Sequence, residues 1–112
     1  MLKFLKNAVR TLISRAVDAM ARTAIGGYIF EAVIHVAMAR TRAISHRGIQ
    51  LTFAMPNKLN SYRLDTFSTK EPETLEWIDG IPRGSVVWDI GANIGLYSCY
   101  CAKAKDCQVF AF

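Results

Sequence analysis

A chain of 112 residues, 52% of them apolar and 21% charged, has enough material for one modest core, which excludes both a disordered polymer and a pair of sizeable domains. The formal net charge of +5 is unevenly placed: residues 1–42 carry seven cations against two acids, and residues 43–112 balance seven against seven. A basic half with so few aromatics among its cations does not resemble a nucleic-acid surface, so no nucleic acid is expected as a partner.

The first element is an amphipathic helix. Leu2, Leu5, Val9, Leu12, Ile13, Ala16, Val17 and Met20 gather on one side of a helical wheel, and Lys3, Asn7, Arg10, Ser14, Asp18 and Arg22 on the other, with Phe4 misplaced. Gly26 and Gly27 interrupt, and a second helical pattern runs from about Tyr28 to Arg42. The apolar run from Ala24 to Ala39 holds Glu31 and His35 and falls short of the ~20 residues that span a bilayer, so no transmembrane helix is expected. Arg10, Arg15 and Asp18 break up any secretory h-region. The basic start shares features with a mitochondrial presequence or an interfacial helix, and two uses compete for residues 1–22: packing on the rest of the protein, or peripheral contact with an anionic membrane. Residues 1–42 are therefore read as a basic helical segment, and 43–112 as a separate domain.

Within that domain Ile49, Leu51 and Phe53 alternate with Gln50, Thr52 and Ala54 after an Arg47-Gly48 turn signal, which predicts a strand, half of a hairpin. Pro56 ends it, and Leu59, Tyr62, Arg63 and Phe67 fall at helical spacing. A further short helix starts at Pro72, with Glu73 and Glu76 favouring its positive end, Gly80 expected as a left-handed cap, and Leu75, Trp77 and Ile78 as its buried side. Pro82 and Gly84 turn the chain into "SVVWD", residues 85–89, whose continuous apolar character suits a central parallel strand covered on both faces. A glycine loop at 91–95 follows, then a helix from about Gly95 to Ala104 with Leu96, Cys99 and Tyr100 inward, and a last strand "CQVFAF". From Val86 to Phe112 the chain has the length of one βαβ unit, which places ligands beyond the carboxyl ends of its strands.

Cys99, Cys101 and Cys107 sit close together, but a CxC pair on a helix points its thiols apart and no histidine completes a zinc set. Buried thiols in a reducing, cytoplasmic compartment are the expectation, with no metal site. His35 and His46 have no partner spaced for a metal or a nucleophile's base.

The loop fails the dinucleotide pattern, since Gly91 is followed at the two other diagnostic positions by Asn93 and Leu96, and it lacks the Gly-Lys-Ser/Thr end of a phosphate loop. An acid at the strand's last residue followed by GxNxG suits a small zwitterion. Asp89 can draw an ammonium group, Gly91 lets the main chain approach, Asn93 tolerates the left-handed region, and free amides at the helix start can take a carboxylate.

"DIGANIGLYS" at residues 89–98, with "TFSTKEPETLEWID" upstream and "VFAF" downstream, resembles the amino-terminal part of an FkbM-like, class I S-adenosylmethionine-dependent methyltransferase. The similarity covers about residues 58–112. It implies an α/β fold, a doubly wound Rossmann-like sheet of seven strands entered here only in part, with S-adenosylmethionine as the cofactor. It further implies methyl transfer to a hydroxyl of a small molecule or glycan, such as a sugar or secondary metabolite. By that match Asp89, Gly91, Asn93 and Gly95 line the donor's methionine portion. Lys70 and Glu71 fall at the family's motif before the strand, where helix capping and surface charge are the competing roles. The resemblance puts the ribose-binding acid one position past Phe112 and supplies no general base within the chain. The expectation is thus a truncated, inactive front portion of an enzyme, with Val109, Phe110 and Phe112 on an uncovered edge. The alternative is a non-catalytic membrane-surface or partner-binding module led by the basic helix, the glycine junction merely closing a βα turn.

Overall fold

The computed structural model describes residues 1–112, a mixed α/β chain of five helices and two small two-stranded sheets. It divides into two units, Met1–Ala37 and Met38–Phe112.

In the first unit, α1 spans Leu2–Ala21 and α2 starts at Ala24 and runs to Ala39. The second helix begins ahead of the glycines, not after them at Tyr28 as expected. Thr23 is the reason: its hydroxyl accepts from the Gly26 amide at 3.0 Å, which is the bond an N-cap makes to the third helical residue. Gly26 then sits where a Cβ would lie 1.8 Å from the Met20 carbonyl oxygen, so the glycine permits the close approach of the two helices at their junction. Gly26 is buried, whereas α1 buries none of its residues. No helix is long and apolar enough to cross a membrane.

The second unit opens with a hairpin. β1 (Thr41–His46) pairs antiparallel with β2 (Ile49–Ala54), in the register Ile44 to Leu51 and His46 to Ile49. Both turn residues, Arg47 and Gly48, have positive φ, 46° and 80°, the mirror-image turn whose twist matches a two-residue hairpin. The hairpin begins ahead of residue 43, since Thr41 and Arg42 already pair with Ala54 and Phe53. His46 is a core-edge residue: its Nδ1 lies 3.0 Å from the Ser68 hydroxyl, and its ring stands edge-on to Phe67 and Tyr100.

Two short helices follow. α3 (Lys58–Asp65) is capped by Asn57, whose side chain accepts from the Asn60 amide at 2.9 Å. It buries Leu64, with Phe67 buried just after it, while Leu59 and Tyr62 are exposed, contrary to the spacing. α4 (Pro72–Gly80) has proline in its first turn and buries Leu75 and Ile78 as expected. Trp77 is 61% exposed, against expectation, and Gly80 is helical, with extended Ile81 ending the element instead of a left-handed glycine.

β3 (Val86–Asp89) and β4 (Gln108–Ala111) are parallel neighbours joined through α5 (Leu96–Lys105), which completes one βαβ unit. Only one face of this pair is covered. Val87 and Val109 pack toward the core, whereas Val86, Trp88 and Phe110 are exposed, so the expected two-sided burial of the strand is not met. In α5 the inward thiol is Cys101, 2% exposed, and not Cys99, which is exposed; Cys101 lies one residue beyond Tyr100 on the buried stripe with Leu96. Tyr100, 1% exposed, is the largest fully buried side chain in a core that also takes in Leu51, Leu64, Phe67, Leu75 and Ile78. Every member of that core belongs to the second unit.

Candidate functional site

A cleft of about 320 Å³ opens at the carboxyl end of β3. The strand delivers Asp89 to its floor, the loop 90–94 forms one wall, the first turn of α5 another, and the segment leading into α4 the far side.

The loop bends because three of its residues adopt left-handed backbone: Gly91 at φ 85°, Asn93 at 57° and Gly95 at 76°. Glycine meets that demand without cost, and asparagine is the side-chain-bearing residue that tolerates it best. A Cβ built on Gly91 meets nothing within 4 Å, so the backbone there borders open space. Asn93 is held by Arg63, whose Nη1 donates to its Oδ1 at 2.6 Å across the cleft wall.

Asp89 is half-buried and accepts a hydrogen bond at Oδ2 from the hydroxyl of buried Ser98, in the first turn of α5. That bond ties strand end to helix start and leaves the other carboxylate oxygen for a ligand. Opposite, Lys70 and Glu71 line the cleft and pair at 3.8 Å. Glu71 stands at the N-cap of α4 yet its side chain makes no cap bond, so the carboxylate is not consumed by the helix. Tyr97 is close enough to feel it: burial first, then the charge of Glu71 and a hydrogen bond to it, raise the phenol above its usual range.

The sequence-predicted residues divide. Asp89, Gly91 and Asn93 line the cleft together with Glu71. Gly95 does not; it serves as the N-cap of α5, in the left-handed conformation and without a side-chain cap bond. The expected free donors are also fewer, because the amides of Gly91 and Ala92 both donate to the main-chain oxygen of Phe112 at 3.0 Å, and Gly95 donates to Ala92 at 2.8 Å. Phe112, the residue after β4, takes up those two donors. The first-turn amides of α5 remain, since a helix start leaves its leading N–H groups without internal partners.

Sequence reasoning missed Arg63, Ser98, Tyr97 and Trp77 as lining residues. Ser98 carried a usable signal: in a strand-loop-helix unit the first helical turn stands over the strand end, so its polar residue faces the terminal acid. Arg63 carried none, because its approach depends on how α3 packs. No histidine lines the cleft, and no group of three metal-ligating side chains occurs anywhere in the chain. No family model, curated protein or solved structure gives a significant match to this chain.

Proposed function

We propose that Met38–Phe112 is the donor-binding front of an S-adenosylmethionine-dependent methyltransferase of FkbM-like type, the start of a doubly wound Rossmann-like sheet, acting on a hydroxyl of a small molecule or glycan. The observation that carries this reading is the convergence of Asp89, Gly91 and Asn93 with the Lys70–Glu71 pair on one cleft at a parallel strand's carboxyl end. That position is where open α/β units hold ligands.

The residues fit the amino-acid end of such a donor. Asp89 has an oxygen to spare for an ammonium group, the open space beside Gly91 admits a ligand against the main chain, and the first turn of α5 offers amides to a carboxylate. Arg63 adds a cation on the same wall. The Gly91 and Ala92 amides already donate to Phe112, so a ligand carboxylate falls to the first turn of α5. A bound S-adenosylmethionine would supply a sulfonium methyl for in-line displacement. This chain's part is to hold and orient: Ser98 fixes the Asp89 carboxylate, Arg63 fixes Asn93, and the apolar walls of Ile78, Val87 and Leu96 limit water. No residue of the cleft is assigned as the base.

The chain's two tryptophans, Trp77 and Trp88, both border the cleft. Titration with S-adenosylhomocysteine should give a weak, saturable change in their fluorescence, and Asp89→Asn should weaken it by roughly tenfold to a hundredfold, the worth of a charge-assisted hydrogen bond. No saturable response, or an unchanged affinity in a folded Asp89→Asn protein, would contradict the reading.

A further inference from the structure

We propose that α1 docks this protein on an anionic lipid surface, lying in the plane of the headgroups with α2 contributing apolar surface. The inference is independent of the methyl-donor reading and rests on the unit Met1–Ala37 alone.

That unit has two long helices and almost no core. In α1 the side chains of Leu5, Val9, Leu12 and Ile13 are 63%, 48%, 70% and 58% exposed, a continuous apolar strip along a helix of twenty residues. In α2, Ile25, Val33 and Val36 are 76%, 59% and 65% exposed. So much contiguous apolar surface needs a partner.

Charge identifies it. Around α1 stand Lys3, Lys6, Arg10, Arg15 and Arg22 against the single acid Asp18. Lys6 and Arg10 border the strip itself, flanking a shallow groove between Leu5, Val9 and Ile13. An occupant must therefore present apolar material edged by negative charge, which is the profile of an acyl-chain boundary beneath anionic headgroups. Long basic side chains suit that boundary because their stems lie along the apolar strip while their heads reach the phosphates. A second copy of α1 would set the same cations against each other. No helix is long and apolar enough to cross a membrane: α2, at sixteen residues, extends about 24 Å against a hydrocarbon core of about 30 Å, and α1, at twenty, carries Lys3, Lys6, Arg10, Arg15 and Asp18 along its length.

Sedimentation of the full chain with phosphatidylcholine vesicles, with and without phosphatidylglycerol, at low and high salt, tests the proposal. Binding should require phosphatidylglycerol and fall with salt. Lys6→Ser/Arg10→Ser should lower the partition coefficient by roughly thirtyfold, about fivefold for each cation. Leu5→Asp/Leu12→Asp should abolish it. All four side chains are exposed and outside the core of Met38–Phe112, so the near-ultraviolet circular dichroism of the full chain, whose two tryptophans both lie in that unit, serves as the folding control. Absence of binding to anionic vesicles, equal binding to neutral ones, or a salt-independent dimer that leaves vesicles untouched would each overturn the proposal.

Discussion

Asp79 and Tyr100 show how a single buried phenol organises this chain. The Tyr100 hydroxyl donates to Asp79 at 2.7 Å, Arg47 pairs with the same carboxylate, and the Lys105 ammonium donates to the Asp79 carbonyl at 2.7 Å, so hairpin turn, α4 and α5 meet at one residue. Burial, then the bond to Asp79 and its charge, push the Tyr100 phenol up to about 12. An unfolded tyrosine ionises near 10. Because the folded value is the higher, the neutral phenol's contribution is fully present below pH 10 and is lost as pH rises toward 12. Urea midpoints measured from pH 9 to 12 should therefore fall, and Tyr100→Phe should flatten that fall while lowering stability at pH 7 by about 1–3 kcal/mol. The slope should shrink without vanishing, since Tyr97 and Cys101 are shifted in the same direction. An identical slope in the variant would show that Tyr100 is not the titrating group.

At the scale of the elements, α5 separates its thiols by facing. Cys101 is buried, and desolvation together with neighbouring Cys107 raises its thiol to about 12, while Cys99 is exposed. Alkylation near pH 8 should modify one cysteine in the native protein and all three in denaturant. Rapid native modification of Cys101 would contradict the helix's buried stripe, and that of Cys107 the packing of the turn between α5 and β4. The same helix marks how much was legible beforehand. Its start, its length and the glycine loop before it follow from local rules, because left-handed backbone demands glycine or asparagine at Gly91, Asn93 and Gly95 wherever the rest of the chain goes. Which of the two thiols faces inward depends on the helix's rotation against β2 and α4, and a ten-residue element whose only charges, Lys103 and Lys105, lie in its last turn leaves that rotation open. The strand β1 was hidden for a related reason. Its Arg42, Ser45 and His46 carry no strong alternation, and only pairing with the clearly periodic β2 makes it a strand. Gly95 belongs to the motif, and its left-handed backbone starts α5 outside the cleft lining. Arg63 shows the opposite failure, a contact thirty residues distant from Asn93 that no local pattern encodes.

At the scale of the molecule, one chain carries two surfaces of different chemistry. The unit Met38–Phe112 contains the whole core and the cleft, and Met1–Ala37 contains most of the excess positive charge with little buried surface. On the exposed face of β3 and β4 the Trp88 ring lies tilted against those of Phe110, with centres 6.5 Å apart, and Phe112, 6.0 Å apart. The bend from Asp89 to Ser98 is the surface proposed to receive the amino-acid end of a methyl donor. Amide NMR of the labelled protein tests it most directly, by adding S-adenosylhomocysteine and, separately, methionine. Both ligands should shift the amides of Asn93, Ile94 and the first turn of α5, together with Lys70 and Glu71, and Asp89→Asn should move the midpoint of these shifts to roughly tenfold to a hundredfold higher ligand. Shifts confined to other regions, or none at high ligand concentration, would contradict it.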